Sequence, residues 1–440
     1  MIRLFIFIFF YCFVHSATAQ VVVGYWKGVV THQNKKWELG VEIKHQSDSL
    51  RAIVNFLDIA VWDVPFSIKL NGRDIYLSRP QPNGKAIVFE GTVDNEQMQG
   101  KFTGVGIAGA PFVLRKQAPA SYVKEEIEII NDTVTISGTL ITPTSKGRYP
   151  LVIFIHGGSP DLRRVYAGPA MEFVQHGFAA FIYDKRGVGK SKRGHWQTDG
   201  IEALASDVVA SVQQLKTHAR IDKTDITVYG HSEGGWTAPT AATMCGDIKH
   251  IIISGASGVS ASEQTLYTRR KVMEQEGFPD SVVDRALDLW RQLYAATKLC
   301  YTDTIRARTL NSALHEKINL VHDEPWFRSS ALPYLYSPDC PTRGFLDLLF
   351  KDPLDIWAKI KIPVLGVWGR EDIVVPVDTS IHLLKRTLSN SGNNQFTSIV
   401  LPGLDHSGNI IAQSGEWDFP RSSKAFTSQM ISWLNNNKTK

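Results

Sequence analysis

Three stretches carry residue types suited to nucleophilic chemistry: "ITVYGHSEGGWTAP" (226–239), "VLGVWGREDIVVP" (364–376) and "IVLPGLDHSGN" (399–409). In the first, Ser232 sits between Gly230 and Gly234 in a G-x-S-x-G pattern, after a β-branched run and before a small-residue stretch able to begin a helix. That context predicts a strained strand-to-helix turn presenting Ser232 Oγ at the top of a sheet. A serine hydroxyl is a poor nucleophile at neutral pH, so it needs a base to take its proton and a carboxylate to orient that base. The other two stretches supply both in the order acid, then histidine: Asp372 three residues past Gly369, and His406 in a glycine-flanked loop after an apolar strand. Glu371 and Asp378 compete with Asp372 for the acid's role.

Acyl transfer also needs donors for a developing oxyanion, commonly the amide after the nucleophile and one from the loop after an earlier strand. Those amides are assigned to Glu233 and to Gly158 in "LVIFIHGGSP", with Gly157 as the near alternative. His156 is read as a structural loop histidine. The glycines and lysines of "FIYDKRGVGKSKRG" invite comparison with a phosphate loop, but the G-x-x-x-x-G-K-[ST] spacing is absent. A structural turn, with Asp184 and Arg186 pairing near the site, is the expectation there.

These loops require a scaffold. Apolar β runs at 150–155, 178–183, 226–229, 249–253, 363–368 and 397–401 alternate with helical stretches such as "ALASDVVASVQQL", where Leu204, Val208, Val212 and Leu215 recur at helical spacing. The pattern is that of a mostly parallel sheet with helices on both faces. About residues 259–361 interrupt the rhythm with far more chain than a βα unit needs. Amphipathic stretches there, among them "SVVDRALDLWRQLYAAT", predict a helical cap over the carboxyl ends of the strands. Its Trp290, Leu293, Tyr294, Trp326, Phe327, Tyr334 and Tyr336 are expected to favour an acyl or aromatic group over a charged one, the alternative being a cap that only stabilises the fold. Trp236 and the aromatics of the cap are read as core, with some of them open to an acyl-lining role.

Upstream, residues 20–117 read as short alternating strands. Trp37, Leu39, Val41 and Ile43 share one face, and Lys36, Glu38 and Glu42 the other. Seven or eight such strands predict an all-β sandwich or barrel, followed by a polar linker and a domain over 122–437. Residues 1–19 have the form of a secretory signal peptide: Arg3, an apolar run from Leu4 to Val14, then Ala17-Thr18-Ala19, with cleavage before Gln20. The run is shorter than the ~20 residues of a membrane span, so export to a secreted or periplasmic location without stable membrane insertion is expected.

Cys245, Cys300 and Cys340 are too few for a disulfide framework. A Cys300–Cys340 bridge is compatible with an oxidising compartment, and spacing alone leaves it open. No cysteine and histidine cluster has zinc-ligand spacing, and neither metal nor cofactor is expected. A net charge of +5, spread along 440 residues, does not suggest a nucleic-acid partner.

The motifs "HGG" (156–158), "DKRGVGKS" (184–191), "GHSEGG" (230–235), "GREDIVVP" (369–376) and "DHSG" (405–408) resemble, in their order, those of the α/β-hydrolase superfamily. "GYWKGVV", "FEGTVDNEQMQGKFTG" and "EEIEIINDTVTISGTLITP" ahead of that core are similar to secreted bacterial serine esterases with an N-terminal β domain. The resemblance implies an α/β-hydrolase fold with a cap insertion and hydrolysis of small carboxylic esters. The loop "HGGSPDLRR" departs from relatives that are richer in glycine and carry an acidic residue after the arginine. "GHSEGG" and "PVLGVWGREDIVVP" are also similar to prolyl-oligopeptidase-type serine peptidases, which makes a peptide substrate the alternative. A third reading is a binding protein on an inactive hydrolase scaffold, against which the complete Ser, Asp and His set argues.

Overall fold

In a computed structural model, the structure describes residues 22–437, excepting 34, 48, 60, 82–83, 105, 119–121, 333–338 and 412–420. The expected signal peptide and the aromatics Tyr334 and Tyr336 lie outside the described residues. The chain forms two compact units, one built mainly on residues up to 122 and the other on most of 123–440. No described helix is long and apolar enough to cross a membrane.

The first unit is a closed barrel of eight antiparallel strands in sequence order: β1 (Gly24–His32), β2 (Lys35–Gln46), β3 (Ser49–Phe56), β4 (Val61–Asn71), β5 (Asp74–Pro80), β6 (Ala86–Val93), β7 (Gln97–Gly104) and β8 (Ile107–Gln117). Closure comes from pairing of β1 with β8, which removes both sheet edges. Alternation decides what faces inward: Trp37, Leu39, Val41 and Ile43 of β2 are buried, while Glu38 and Glu42 between them are half-buried and Lys36 just before them is exposed. An eight-stranded barrel is just wide enough for side chains to fill. Phe89 fills much of it, its ring 4.8 Å from that of Phe102 and 5.4 Å from that of Phe112.

The second unit holds the sheet that positions the candidate site. Its elements are β9 (Tyr122–Asn131), β10 (Val134–Pro143), β11 (Tyr149–Ile155), the end of α1 (Ala167–Gln175, of which residues up to Met171 group with the first unit), β12 (Ala179–Tyr183), α2 (Ile201–Leu215), β13 (Ile221–His231), α3 (Gly234–Met244) and β14 (Ile248–Ser254). After the cap come β15 (Val364–Gly369), α9 (Val377–Asn390), β16 (Phe396–Leu401) and α10 (Lys424–Asn436), with α4 to α8 assigned to the cap below. Strand order is β16-β15-β14-β13-β11-β12-β10-β9. From β12 to β16 neighbours run parallel, and β10 joins β12 antiparallel. β11, β14 and residues 225–230 of β13 are mostly buried, as expected of parallel strands covered on both faces. This is the α/β-hydrolase fold.

Because β11 lies between β12 and β13, the chain leaves β11 to one side and returns to the other. Such a switch point opens a crevice at the carboxyl ends of the strands. His156-Gly157-Gly158 follows β11, and Ser232 follows β13.

The cap lies between β14 and β15: α4 (Ala261–Gln275), α5 (Asp280–Lys298), α6 (Thr304–Asn319), α7 (Arg343–Phe350) and the short α8 (Leu354–Trp357). Ser260 begins α4 with a reciprocal capping box to Glu263. In α5, Val283, Ala286, Leu287, Trp290, Leu293 and Tyr294 form one buried stripe. Here, of the two readings of the cap aromatics, packing prevails over an acyl-lining surface for the described residues. Trp290, Leu293, Tyr294, Trp326 and Phe327 pack on one another and on Met273, Leu332 and Leu349 as the cap's own core, because an inserted helical layer must bury an apolar stripe to be stable. Trp290 satisfies its ring N–H on Ser330 O at 2.8 Å. Cys300, just after α5, is bonded to Cys340, just before α7, across a Cα separation of 5.6 Å, and Cys245 is a buried free thiol.

Candidate active site

The turn at Ser232 is strained by construction. Ser232 has φ of +52°, a left-handed conformation uncommon for a residue with a side chain. Its amide donates to Ser254 O at the end of β14 at 2.9 Å, which pins the turn to the sheet. The flanking glycines are needed for close approach. A Cβ on Gly230 would stand 2.1 Å from Gly234 O, and one on Gly234 would stand 2.8 Å from Ile155 O.

The acid and histidine loops are laced together at the neighbouring strand ends. Arg370 N donates to Leu401 O at 2.9 Å and Glu371 N to Leu404 O at 3.1 Å, so the loops after β15 and β16 advance side by side. This places His406 Nδ1 2.8 Å from Asp372 Oδ2, with the Asp372 side chain wholly buried and His406 17% exposed. The other carboxylate oxygen, Oδ1, accepts from Val374 N at 2.7 Å and Val375 N at 2.9 Å. Both competing acids point elsewhere: Glu371 Oε2 accepts from Gly403 N, and Asp378 forms an exposed pair with Arg370.

Ser232 and His406 both border the tip of β14. A Cβ on Gly255 would lie 3.0 Å from His406 Cε1, and the His406 ring is 5.0 Å from that of His231, the residue before the serine. Ser232 Oγ makes no hydrogen bond to His406, whose described side-chain partner is Asp372. Burial, and then the neighbouring His406, push the pKa of His231 down to about 3. His231 Nδ1 is 3.0 Å from Ser254 Oγ, which is 2.7 Å from the Tyr229 hydroxyl, so this second histidine is held neutral within a buried hydrogen-bonded chain. His156 is likewise held neutral, with burial lowering its pKa to about 4 and its Nε2 on Tyr183 O.

The glycines after β11 approach the turn from the other side. A Cβ on Gly157 would lie 3.4 Å from Ser232 Cβ, and one on Gly158 would lie 3.5 Å from Glu233 Oε2. Residues 157, 158, 232 and 233 therefore share one corner of the crevice.

The segment after β12 differs from expectation: Asp184 and Arg186 do not pair with each other. Asp184 is held by Arg163, at 3.1 Å between Arg163 Nη2 and Oδ2, which ties down the loop that begins with the glycines. Burial pushes the Asp184 carboxyl up, but Arg163 and the backbone amides of Arg163 and Lys190 hold it below the usual range. Arg186 instead reaches Asp199 at 2.7 Å and Asp207 at 2.8 Å, because its long fork spans to α2. Lys185 turns inward, 2.7 Å from Glu233 Oε1 and 2.6 Å from Gly157 O. This inward lysine was missed in the sequence, where its only signal is a cation between two other charges on a segment following a buried strand. Trp236 is buried as expected, its N–H on Ser257 O, and it lines a cavity of about 280 Å³ with residues of α2, α7 and α8.

The family described as Serine aminopeptidase, S33 matches residues 148–335 of the chain. Esterase EstD of Thermotoga maritima is 23% identical over 295 residues, covering 66% of this chain; the chain spans only 60% of EstD's length. The bifunctional esterase/perhydrolase DCH of Acinetobacter calcoaceticus is 25% identical over 263 residues, 58% of this chain and 84% of that protein. Among solved structures, an esterase of Pyrococcus furiosus is similar at a TM-score of 0.45 with 19% identity, covering 72% of this chain and 92% of its own.

Proposed function

Starting from an α/β-hydrolase domain, we propose that this protein is an exported serine hydrolase that cleaves small carboxylic esters through an acyl-enzyme. The observation that carries the reading is the 2.8 Å contact of His406 Nδ1 with the buried Asp372, beside a Ser232 held at φ +52°. With Nδ1–H donated to Asp372, the lone pair of His406 lies on Nε2. In the reaction Nε2 takes the Ser232 proton while Oγ attacks the ester carbonyl, and the negative charge falls on the former carbonyl oxygen. The amides of Glu233 and Gly158 stabilise that oxyanion. Collapse expels the alkoxide, which takes the proton from His406; water then repeats the sequence on the acyl-enzyme and releases the acid. No cofactor or metal enters this scheme.

Similarity to two named esterases supports the choice of ester. A peptide or aminoacyl amide is the second reading, favoured by the description of the matching family. Export is supported by the form of residues 1–19 and by the Cys300–Cys340 bridge, since disulfides persist in oxidising compartments. The test uses purified mature protein. A fluorophosphonate probe should label wild type and leave Ser232→Ala unlabelled, and p-nitrophenyl esters should turn over ahead of prolyl and aminoacyl amides. Equal labelling of both proteins would remove Ser232 from the mechanism, and preferential cleavage of the amides would replace esterase by peptidase.

A further inference from the structure

Lys185 is among the most deeply buried cations described, with its side chain 3% exposed and that of its partner Glu233 7% exposed. Its ammonium donates to Gly157 O and Glu233 Oε1, and the indole ring of Trp196 lies 4.5 Å away. Stability alone gives little reason for such a pair, because a buried ion pair often contributes no more than apolar side chains of the same volume. Its two acceptors belong to the two segments that carry the oxyanion donors.

The geometry of a trans peptide gives the first contact its meaning. The carbonyl of Gly157 and the N–H of Gly158 lie in one plane and point in opposite directions. An ammonium holding that carbonyl from one side therefore aims the Gly158 N–H to the other. The second contact anchors the side chain of Glu233, the residue whose own amide is the other donor. Gly157 also lies against Ser232, since a Cβ built on it would stand 3.4 Å from Ser232 Cβ.

We propose that Lys185 is a positioning residue that couples the two oxyanion donors, holding the Gly157–Gly158 peptide and Glu233 at a fixed separation through one buried ammonium. The proposal rests on the acyl-transfer reading above. It assigns Lys185 no contact with substrate.

The test is Lys185→Met/Glu233→Met, which removes both charges together and leaves neither orphaned. Three quantities are measured beside a thermal melt: the second-order rate of fluorophosphonate inactivation, kcat and KM for p-nitrophenyl butyrate, and inhibition by a trifluoromethyl ketone, whose adduct carries an oxyanion. Complete loss of one oxyanion donor costs about 10²–10³ in kcat. Misaiming should cost about 10–100-fold in kcat and inactivation rate, with matching weakening of the ketone and KM within about threefold. Glu233→Gln, which keeps the Lys185 grip on Gly157 O and a neutral hydrogen bond, should show a smaller loss of the same kind, and it serves as the reporter should the double variant not fold. Wild-type inactivation rates in a folded variant would overturn the proposal and leave the pair as a structural staple. A wild-type protein that the probe does not label would instead overturn the acyl-transfer reading and this proposal with it.

Discussion

Replacing Asp372 by Asn tests the candidate triad with a change of one atom, and the surroundings dictate how the new side chain must sit. Oδ1 accepts two backbone amides, Val374 N at 2.7 Å and Val375 N at 2.9 Å, while Oδ2 faces His406 Nδ1 at 2.8 Å. Asparagine has one acceptor oxygen. Turning its NH₂ toward the two amides would leave buried donors unpaired, at about 1–3 kcal/mol each, so the oxygen stays on the amide side and the NH₂ faces His406. A donor there can bond only to a bare Nδ1, which sends the histidine's proton to Nε2, the edge that accepts from Ser232 in the proposed mechanism. Inverting the tautomer in this way is worth about 10⁴-fold in kcat, or about 5.5 kcal/mol of barrier. Stability should change by no more than about 1 kcal/mol, because the hydrogen bonds are retained in number. The assay is burst kinetics on a p-nitrophenyl ester with a thermal melt on the same preparation. Activity of Asp372→Asn within tenfold of wild type, joined to collapse of Glu371→Gln, would refute the assignment of the acid.

Gly230→Ala puts a Cβ 2.1 Å from a backbone oxygen, so the turn must open; a fall in inactivation rate of about 10²-fold is expected from roughly 1 Å of misplacement. Trp290→Ala should cost about 3–5 kcal/mol of stability, read by denaturant titration, while the ranking of ester chain lengths stays unchanged, since Trp290 belongs to the cap's own core. Reduction of Cys300–Cys340, which closes a loop over a sequence separation of 40, should lower stability by about 4 kcal/mol, measured as melts with and without reductant. His156 and His231 have folded pKa values of about 4 and about 3, below the unfolded value near 6.5, so each takes up a proton on unfolding within that interval. Their contribution is complete above about pH 6.5 and is lost progressively as the pH falls from there to those folded values, at up to about 1.4 kcal/mol per pH unit for each histidine. A stability profile flat between pH 4.5 and 6.5 would contradict the burial that causes these shifts.

What the sequence determined by itself is local and periodic. Alternation in "KWELGVEI" decides which face of a strand is wet, whatever that strand pairs with. Glycines on both sides of a serine after a β-branched run mark a tight strand-to-helix turn, because only glycine tolerates backbone at 2.1 Å from where its Cβ would be. Aspartate and histidine after successive apolar runs follow equally from chain order. Tertiary structure decided what depends on contacts distant in sequence. Strand alternation suits a sandwich as well as a barrel, and only pairing of β1 with β8 selects closure. Asp184, Lys185 and Arg186 are adjacent in sequence yet reach Arg163, Glu233 and Asp207 in turn, since side-chain direction and reach are set by the loop's path. The aromatic stripe of the cap reads the same whether it lines a crevice or fills a core. The helices packed against it decide for the core, because burying that stripe among themselves is what lets an inserted layer fold.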